Sequence, residues 1–382
     1  MKKIKNILIP IGNRSEYNLI YPVYKEFEKN GFDVSLLVTG PYPTNQLGHS
    51  MDIFSRDKLN VKYKIPVILN KFDQAEMAYN LSTIIKVSTK LLSENKPDLI
   101  YIQGDRMEQL GVTLAAAYLE IPLAQAHAGE ITSGGHIDDL TRHVITRYAS
   151  LIFTANKTAE KRVIKMGEEK KRVFSFGAPG LDTILTRKST PFNELVKKYD
   201  IPSDGYGLLV QHSITSEADK ASNQIRETIN AIEESKMFFL SSYPSPDNGA
   251  TDIMKELENP ILKMIKLYAN YPPEDFIGLM KNAKVLVGNS SSGIVEAASY
   301  HLPVVNIGNR QLGRDQSGNV INVKNNAEEI LKAIKKASSR EFKEHCEKIE
   351  NIYGDGHASE KIVKIISSID LDSDFLKKKI DL

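Results

Sequence analysis

Six short clusters of charged, imidazole and hydroxyl side chains in this sequence each follow a short apolar run. The densest is His127-Ala128-Gly129-Glu130, followed by the glycine-rich Ser133-Gly134-Gly135, then Asp138-Asp139 and Arg142-His143. Imidazole and carboxylate groups this close can supply both an acid and a base, their proton affinities drawn apart by their surroundings. A purely structural role would make Asp138 a helix cap and Arg142-His143 a helix surface. That account suits Asp139 but not the whole group. The spacing is neither HExxH nor a zinc pattern, so no metal is expected. Upstream, Gly104-Asp105-Arg106 ends the apolar run Leu99-Ile100-Tyr101-Ile102. A carboxylate and a guanidinium there are costly to bury unpaired. Pairing with each other and serving a site explain them about equally well.

The second half carries residues suited to an anion. Gly288-Asn289-Ser290-Ser291-Ser292-Gly293, then Glu296, runs from a strand into a helix. Backbone N–H groups, hydroxyls and the helix dipole there suit a diphosphate. Glu296 can accept paired hydrogen bonds from ribose hydroxyls. Capping accounts for one serine, not easily for three. In Gln211-His212-Ser213-Ile214-Thr215, His212 can donate to a phosphate; a satisfied structural histidine is the alternative. Gly308-Asn309-Arg310-Gln311-Leu312-Gly313-Arg314 places Arg310 to bind a diphosphate or ribose, while Arg314 fits the surface equally well. Gly12-Asn13-Arg14-Ser15-Glu16-Tyr17 is not a GxGxxG fingerprint. Its glycine and cation at a helix start suit a phosphate, although alone it reads as a polar turn.

Short β-rich runs alternate with longer helical stretches, the pattern of parallel sheets with crossover helices. Strands are predicted at 4–11, 33–39, 99–102, 122–127, 151–154 and 173–177, with helices at 15–30 and about 73–95. After a pause the alternation restarts: strand 207–211, helix 217–235, strand 237–241, helices 251–267 and 274–283, strand 284–288, helix 293–300, strand 303–307. The expected architecture is α/β, with two Rossmann-like domains whose parallel sheets face a central cleft. The expected domains are 1–180, carrying the acid/base residues, and 206–356, carrying the anion site. Residues 181–205 are expected between them, and the helix in 357–382 is expected to pack back on the first domain. Ligands of such sheets sit outside the carboxyl ends of the strands.

A length of 382 residues suits two domains. A net charge of +2 excludes a strong global pull toward nucleic acid or acidic lipid. The single cysteine, Cys346, can form no internal disulfide, which suits a reducing compartment. The apolar run Ile7-Leu8-Ile9 is cut by Pro10, too short for a secretory signal, and no stretch approaches a membrane span. A cytoplasmic protein is expected. The basic stretches Lys157 to Arg172 and Lys377-Lys378-Lys379 are expected to be solvated faces.

Taken together, the motifs resemble the UDP-N-acetylglucosamine 2-epimerase family, in particular its hydrolysing branch, which begins sialic and related nonulosonic acid synthesis. The likeness runs from Gly12 to about Gly356. It rests on Asn13-Arg14-Ser15-Glu16-Tyr17, Gly104-Asp105-Arg106, Gly129-Glu130, Asp138 with Arg142-His143, Gly288-Asn289-Ser290-Ser291, Glu296, and Arg310-Gln311 with Gly313-Arg314. The resemblance implies a GT-B-like fold, a UDP-amino sugar as substrate, no cofactor and a homodimer or homotetramer. It implies loss of the C2 proton and of UDP, then addition of water, giving UDP and N-acetylmannosamine. Asp105, Glu130, Asp138 and His127 become the candidate acid/base group. Arg14, Asn18, Arg106, His212, Ser245, Tyr271, Ser290, Ser291, Glu296 and Arg310 become substrate or UDP contacts. This chain departs from the family pattern at His127, where glutamate is usual, at Ser213 for proline, and at Ser245 for asparagine. An insertion from Thr132 to His136 lengthens the loop before Asp138. These departures suit a modified sugar, such as a 2,4-diacetamido-6-deoxy one. A non-hydrolysing epimerase, a GT-B glycosyltransferase and a non-catalytic nucleotide-sugar sensor are the alternatives.

Overall fold

A computed structural model describes residues 3–40, 42–44, 51–67, 74–131, 137–244, 249–370 and 378, with the side chains of Arg14, Ser15, Gln74 and Thr215 outside the description. The chain forms two compact units, Met1–Thr183 with Tyr353–Leu382, and Ile184–Ile352.

The first unit holds β1 (Asn6–Ile11), β2 (Asp33–Gly40), β3 (Val61–Pro66), β4 (Leu99–Gln103), β5 (Leu123–Ala126), β6 (Leu151–Thr154) and β7 (Val173–Ser175). Its sheet runs β3-β2-β1-β4-β5-β6-β7, and every pairing is parallel. The period of two along a strand sorts the core into two layers. Ile7, Ile9 and Ile11 face one cluster, with Phe27 of the helix Arg14–Lys29 and Ile366 of the helix Ala358–Ser368. Leu8, Ile100 and Ile102 face the other, with Ile84 of the helix Gln74–Glu94 and Val112 of the helix Met107–Tyr118. The returning helix Ala358–Ser368 is anchored at its start. Asp182 accepts the N–H groups of Ala358 at 3.0 Å and Ser359 at 2.6 Å, satisfying donors that no helical carbonyl reaches.

The second unit holds β8 (Gly207–Val210), β9 (Phe239–Ser242), β10 (Ile265–Tyr268), β11 (Leu286–Gly288), β12 (Val304–Ile307) and β13 (Val320–Val323). Its order is β10-β9-β8-β11-β12-β13, again parallel throughout. Leu209, Val287 and Val305 pack against Ile225, Ile232 and Ile334 on one face. Leu208, Leu286 and Val304 pack against Leu195, Tyr199 and Leu279 on the other. The helix Phe192–Tyr199, in the stretch expected between domains, thus belongs to this core.

Three edge strands depart from expectation. The helix predicted over 251–267 stops at Leu257, before Asn259-Pro260, and Ile265–Tyr268 pairs with β9. Proline ends the helix because it lacks an N–H and restricts the residue before it. The strands Val61–Pro66 and Val320–Val323 went unread because edge strands are half exposed and show no continuous apolar run. The helix predicted over 293–300 is one turn, Ser291–Val295, followed by a 3-10 turn, Ala297–Tyr300.

Candidate active site

In both sheets the strand order reverses beside the first strand, at β1/β4 and at β8/β11. Open parallel sheets bind ligands at such a switch point, outside the carboxyl ends. The expected clusters follow these ends directly: Gly12-Asn13 after β1, Gly104-Asp105-Arg106 after β4 and His127 to Glu130 after β5 in one unit. In the other, His212 follows β8, Asn289-Ser290 follows β11 and Arg310 follows β12.

In the first unit, Arg142 organises the acid/base group. It lies on the helix Ile137–Tyr148 and is 3% exposed. One guanidinium nitrogen donates to Asp139 Oδ1 at 2.6 Å and to the Glu130 carbonyl at 2.8 Å. The other donates to Asp105 Oδ2. Asp105 therefore pairs with Arg142, not with its neighbour Arg106. Asp105 and, more weakly, Glu130, Asp139 hold the Arg142 charge against burial and raise its pKa. Arg106 has its own partner, with Nε 3.3 Å from Glu108 Oε2. Attraction by Glu108, then Asp138 and Glu16, raises the Arg106 pKa against its burial.

His127 leaves β5 with φ 57°, in the left-handed region that side chains with a Cβ seldom adopt. Its Nδ1 lies 2.8 Å from Glu130 Oε1. Its Nε2 is enclosed with no hydrogen-bond partner among the described residues. The turn is held from outside: Ala128 N–H donates to Phe153 O at 3.2 Å, and Arg162 donates to Gly129 O. A carboxylate thus orients one imidazole nitrogen, and the other has no partner among the described residues, an arrangement that a proton-transfer role would use. Asp138 is half-buried in the first turn of the same helix as Arg142.

In the second unit, Asn289 locks three strand ends together. Its Oδ1 accepts His212 N–H at 2.7 Å and its Nδ2 donates to His212 O at 2.8 Å. Its carbonyl accepts from Arg310 at 3.1 Å and from Gln311 Nε2 at 3.0 Å. Gly288 makes this possible: its φ is 134°, and a Cβ there would lie 2.1 Å from Val210 O. Of the three serines, Ser290 caps Ser292 N–H at 3.3 Å, and the Ser292 hydroxyl donates to Glu296. Ser291 is exposed at the helix start. This helix is a single turn, Ser291–Val295, so it offers free N–H groups at its start rather than a long dipole. Burial pushes the Glu296 carboxyl up to about 7, the Ser292 hydroxyl opposing. Burial, aided by the Arg310 charge, pulls His212 down to about 4, so its ring is neutral at pH 7.

Not every expected contact joins these groups. Tyr271 is a core residue, with its hydroxyl donating to Ser241 O at 2.9 Å and its ring packed on Tyr199, Tyr268 and Phe276. Its apolar ring and satisfied hydroxyl explain that place. Asn18 is exposed on the helix Arg14–Lys29. The Arg14 side chain, Ser245 and the loop Thr132 to His136 lie outside the described residues. The sequence alone gives Asn289 no role of its own within its motif, and gives Glu108 and Arg162 none. Arg162 and the 3%-exposed Arg172 also correct the expectation of a wholly solvated face from Lys157 to Arg172. Lys378 is likewise engaged, donating to the carbonyls of Thr146, Arg147 and Ala149 at the end of the Arg142 helix. Lys377 and Lys379 lie outside the described residues.

Two parallel, doubly wound units of this kind make a GT-B-like fold. The chain superimposes with TM-score 0.80 on the crystal structure of a UDP-GlcNAc 2-epimerase from Neisseria meningitidis bound to UDP-GlcNAc, at 18% identity, covering 94% of this chain and 99% of that one. Residues 25–367 match the family model described as UDP-N-acetylglucosamine 2-epimerase. The chain is 32% identical to a UDP-N,N'-diacetylbacillosamine 2-epimerase (hydrolyzing) from Legionella pneumophila, over 98% of this chain and 99% of the relative. It is 29% identical to a GDP/UDP-N,N'-diacetylbacillosamine 2-epimerase (hydrolyzing) from Campylobacter jejuni, over 99% of each. The chain belongs to the UDP-N-acetylglucosamine 2-epimerase family, within its hydrolysing branch.

Proposed function

We propose that the protein hydrolyses a UDP-activated 2-acetamido sugar with inversion at C2, releasing UDP and the free epimer. The observation that carries this reading is the grouping of Asp105, Glu130 and His127 around one buried arginine at the ends of β4 and β5. A base from this group takes the C2 proton while the C1–oxygen bond to UDP breaks, and the electron pair forms a C1=C2 double bond. Water then adds hydroxyl at C1, and a proton returns to C2 from the opposite face. Two-sided proton traffic needs more than one acid/base group, and Asp105, Asp138 and the His127–Glu130 pair supply it. The departing UDP takes the electron pair of the C1–O bond and gains a negative charge on its terminal phosphate, which donors from Arg310, Arg106, His212 and Ser291 stabilise, while Glu296 accepts from the ribose.

The names of the Legionella and Campylobacter relatives favour a diacetamido sugar over UDP-N-acetylglucosamine. The experiment offers both UDP-sugars in parallel in deuterated water and measures UDP, free sugar and C2 deuterium. Free 2-epimer bearing deuterium is the expected product. A UDP-linked epimer would mean a non-hydrolysing enzyme, and release only with an added acceptor would mean a transferase. The free sugar would feed synthesis of a sialic- or legionaminic-type acid in the cytoplasm. No helix among the described residues is long and apolar enough to cross a membrane.

The expected homo-oligomer has support in one helix face. Ile137, Leu140, Val144 and Tyr148 are 54%, 61%, 41% and 40% exposed and recur at helical spacing. A Leu140→Glu, Val144→Glu double variant should sediment as a monomer if this face joins two copies.

A further inference from the structure

Two buried carboxylates in the first unit have no part in the mechanism above. Glu16 is 3% exposed and Glu108 is fully buried. Glu16 Oε2 accepts the Gly12 N–H at 2.7 Å and Gln109 Nε2 at 3.0 Å, and the same Gln109 nitrogen reaches Pro10 O at 3.3 Å. The turn after β1 is thereby fastened to the helix that follows β4. Glu16 Oε1 is enclosed with no hydrogen-bond partner among the described residues, and a Cβ on Gly104 would lie 2.8 Å from it. The backbone leading into Asp105 therefore rests on this carboxyl group. Glu108 Oε2 accepts from Arg106 Nε at 3.3 Å, its Oε1 is enclosed without a hydrogen-bond partner among the described residues, and a Cβ on Gly12 would lie 2.8 Å from its Cβ and Cγ. Together the two side chains underlie both turns at the point where the strand order reverses.

Two buried carboxylates that share Arg106 as their cation among the described residues are not both ionised cheaply. Among the described residues, the charged groups acting on Glu16 are Glu108 and Arg106 at the start of the helix after β4, while Gly12 and Asn13, just before the Glu16 helix, contribute backbone N–H groups. Arg106 is hydrogen-bonded to Glu108, not to Glu16 Oε2, whose donors are the Gly12 N–H and Gln109. Burial pushes the Glu16 carboxyl up to about 8, with the Glu108 charge adding and the Gly12 N–H and Arg106 opposing.

We propose that Glu16 and Glu108 form a proton-dependent joint that positions Asp105 and Arg106 for the reaction, with Glu16 working in its neutral form. The proposal rests on the roles given to Asp105 and Arg106 above. Ionising Glu16 sets a second negative charge beside Glu108, and the support beneath the Asp105 turn loosens. Both are positioning residues, acting through the turns they hold.

Glu16→Gln tests this, because a carboxamide keeps the neutral shape and still accepts from Gly12 and Gln109. Wild-type kcat should fall above about pH 8, and Glu16→Gln should keep neutral-pH kcat within about twofold while losing that fall. Glu16→Ala should lose more than about tenfold at every pH. Thermal unfolding gives a readout free of substrate. The folded wild type holds a proton that the unfolded chain gives up, so its stability falls as pH rises from the ordinary carboxylate range to about 8. Glu16→Gln lacks that term, and its Tm advantage should widen from pH 5 to 9. Parallel Tm curves overturn the joint, as does an unchanged alkaline limb in an active Glu16→Gln. If wild type turns over neither UDP-sugar, the functional reading fails, while the Tm comparison still decides whether Glu16 is neutral.

Discussion

Glu296 should couple nucleotide binding to a proton. In the free protein its carboxyl is pushed up to about 7 by burial. In the role proposed for Glu296, ribose hydroxyls donate to the ionised form, so binding should select the carboxylate and release the proton held by the neutral fraction. The ionised fraction is roughly a tenth at pH 6, half at pH 7 and nine tenths at pH 8. Apparent affinity should therefore strengthen about tenfold from pH 6 to pH 8, equivalent to about 1.4 kcal/mol. Calorimetry with a UDP-sugar isolates the effect, because its diphosphate is esterified at both ends and its last ionisation lies well below this range. Run on the Asp105→Asn protein, which should not turn over, titrations in two buffers of different ionisation heat report the protons released. About 0.5 is expected at pH 7 and about 0.9 at pH 6. His212, pulled to about 4, is neutral across the window and adds no slope. Glu296→Gln should abolish the pH dependence and weaken binding at pH 8 by about 1.5–3 kcal/mol, the worth of a charged hydrogen bond. An equal slope in the wild type and Glu296→Gln would refute the reasoning.

Asp105→Asn should lower turnover by at least about a hundredfold while leaving the UDP dissociation constant within about twofold. Arg142 keeps Asp139 and the Glu130 carbonyl as partners in that variant, so loss of turnover and affinity together would mean a structural role for Asp105. Arg142→Ala leaves those carboxylates without their cation and should destabilise the fold by about 3–5 kcal/mol in urea unfolding. Gly288→Ala places a Cβ 2.1 Å from Val210 O at φ 134°; strain and the shifted Asn289 lock should cost about 1–3 kcal/mol and weaken UDP binding, and a normal urea midpoint would contradict this.

The places where charged residues follow apolar runs were legible before any coordinates, because parallel strands buried on both faces read as continuous apolar segments and end where the polar residues begin. Gly104-Asp105-Arg106 and Gly288-Asn289-Ser290 were found by that rule. Pairing was not legible. Asp105 has a cation beside it in sequence, yet its partner is Arg142, 37 residues away. Adjacent side chains leave a turn in different directions, whereas a helix from the next crossover can aim one guanidinium at two strand ends. The same blindness hid Glu16 and Glu108, which on a one-dimensional reading are ordinary polar residues of a helix start. Edge strands failed for another reason: Val61–Pro66 alternates lysine with apolar residues, and only its pairing to β2 makes it a strand. Local pattern therefore reveals where chemistry-bearing residues emerge, while their protonation follows from burial and from partners distant in sequence. His127 shows the consequence. The resemblance sets it against a glutamate, and the fold adds what the sequence does not show: the Glu130 carboxylate lies 2.8 Å from its Nδ1 and orients the ring, while its buried Nε2 has no hydrogen-bond partner among the described residues.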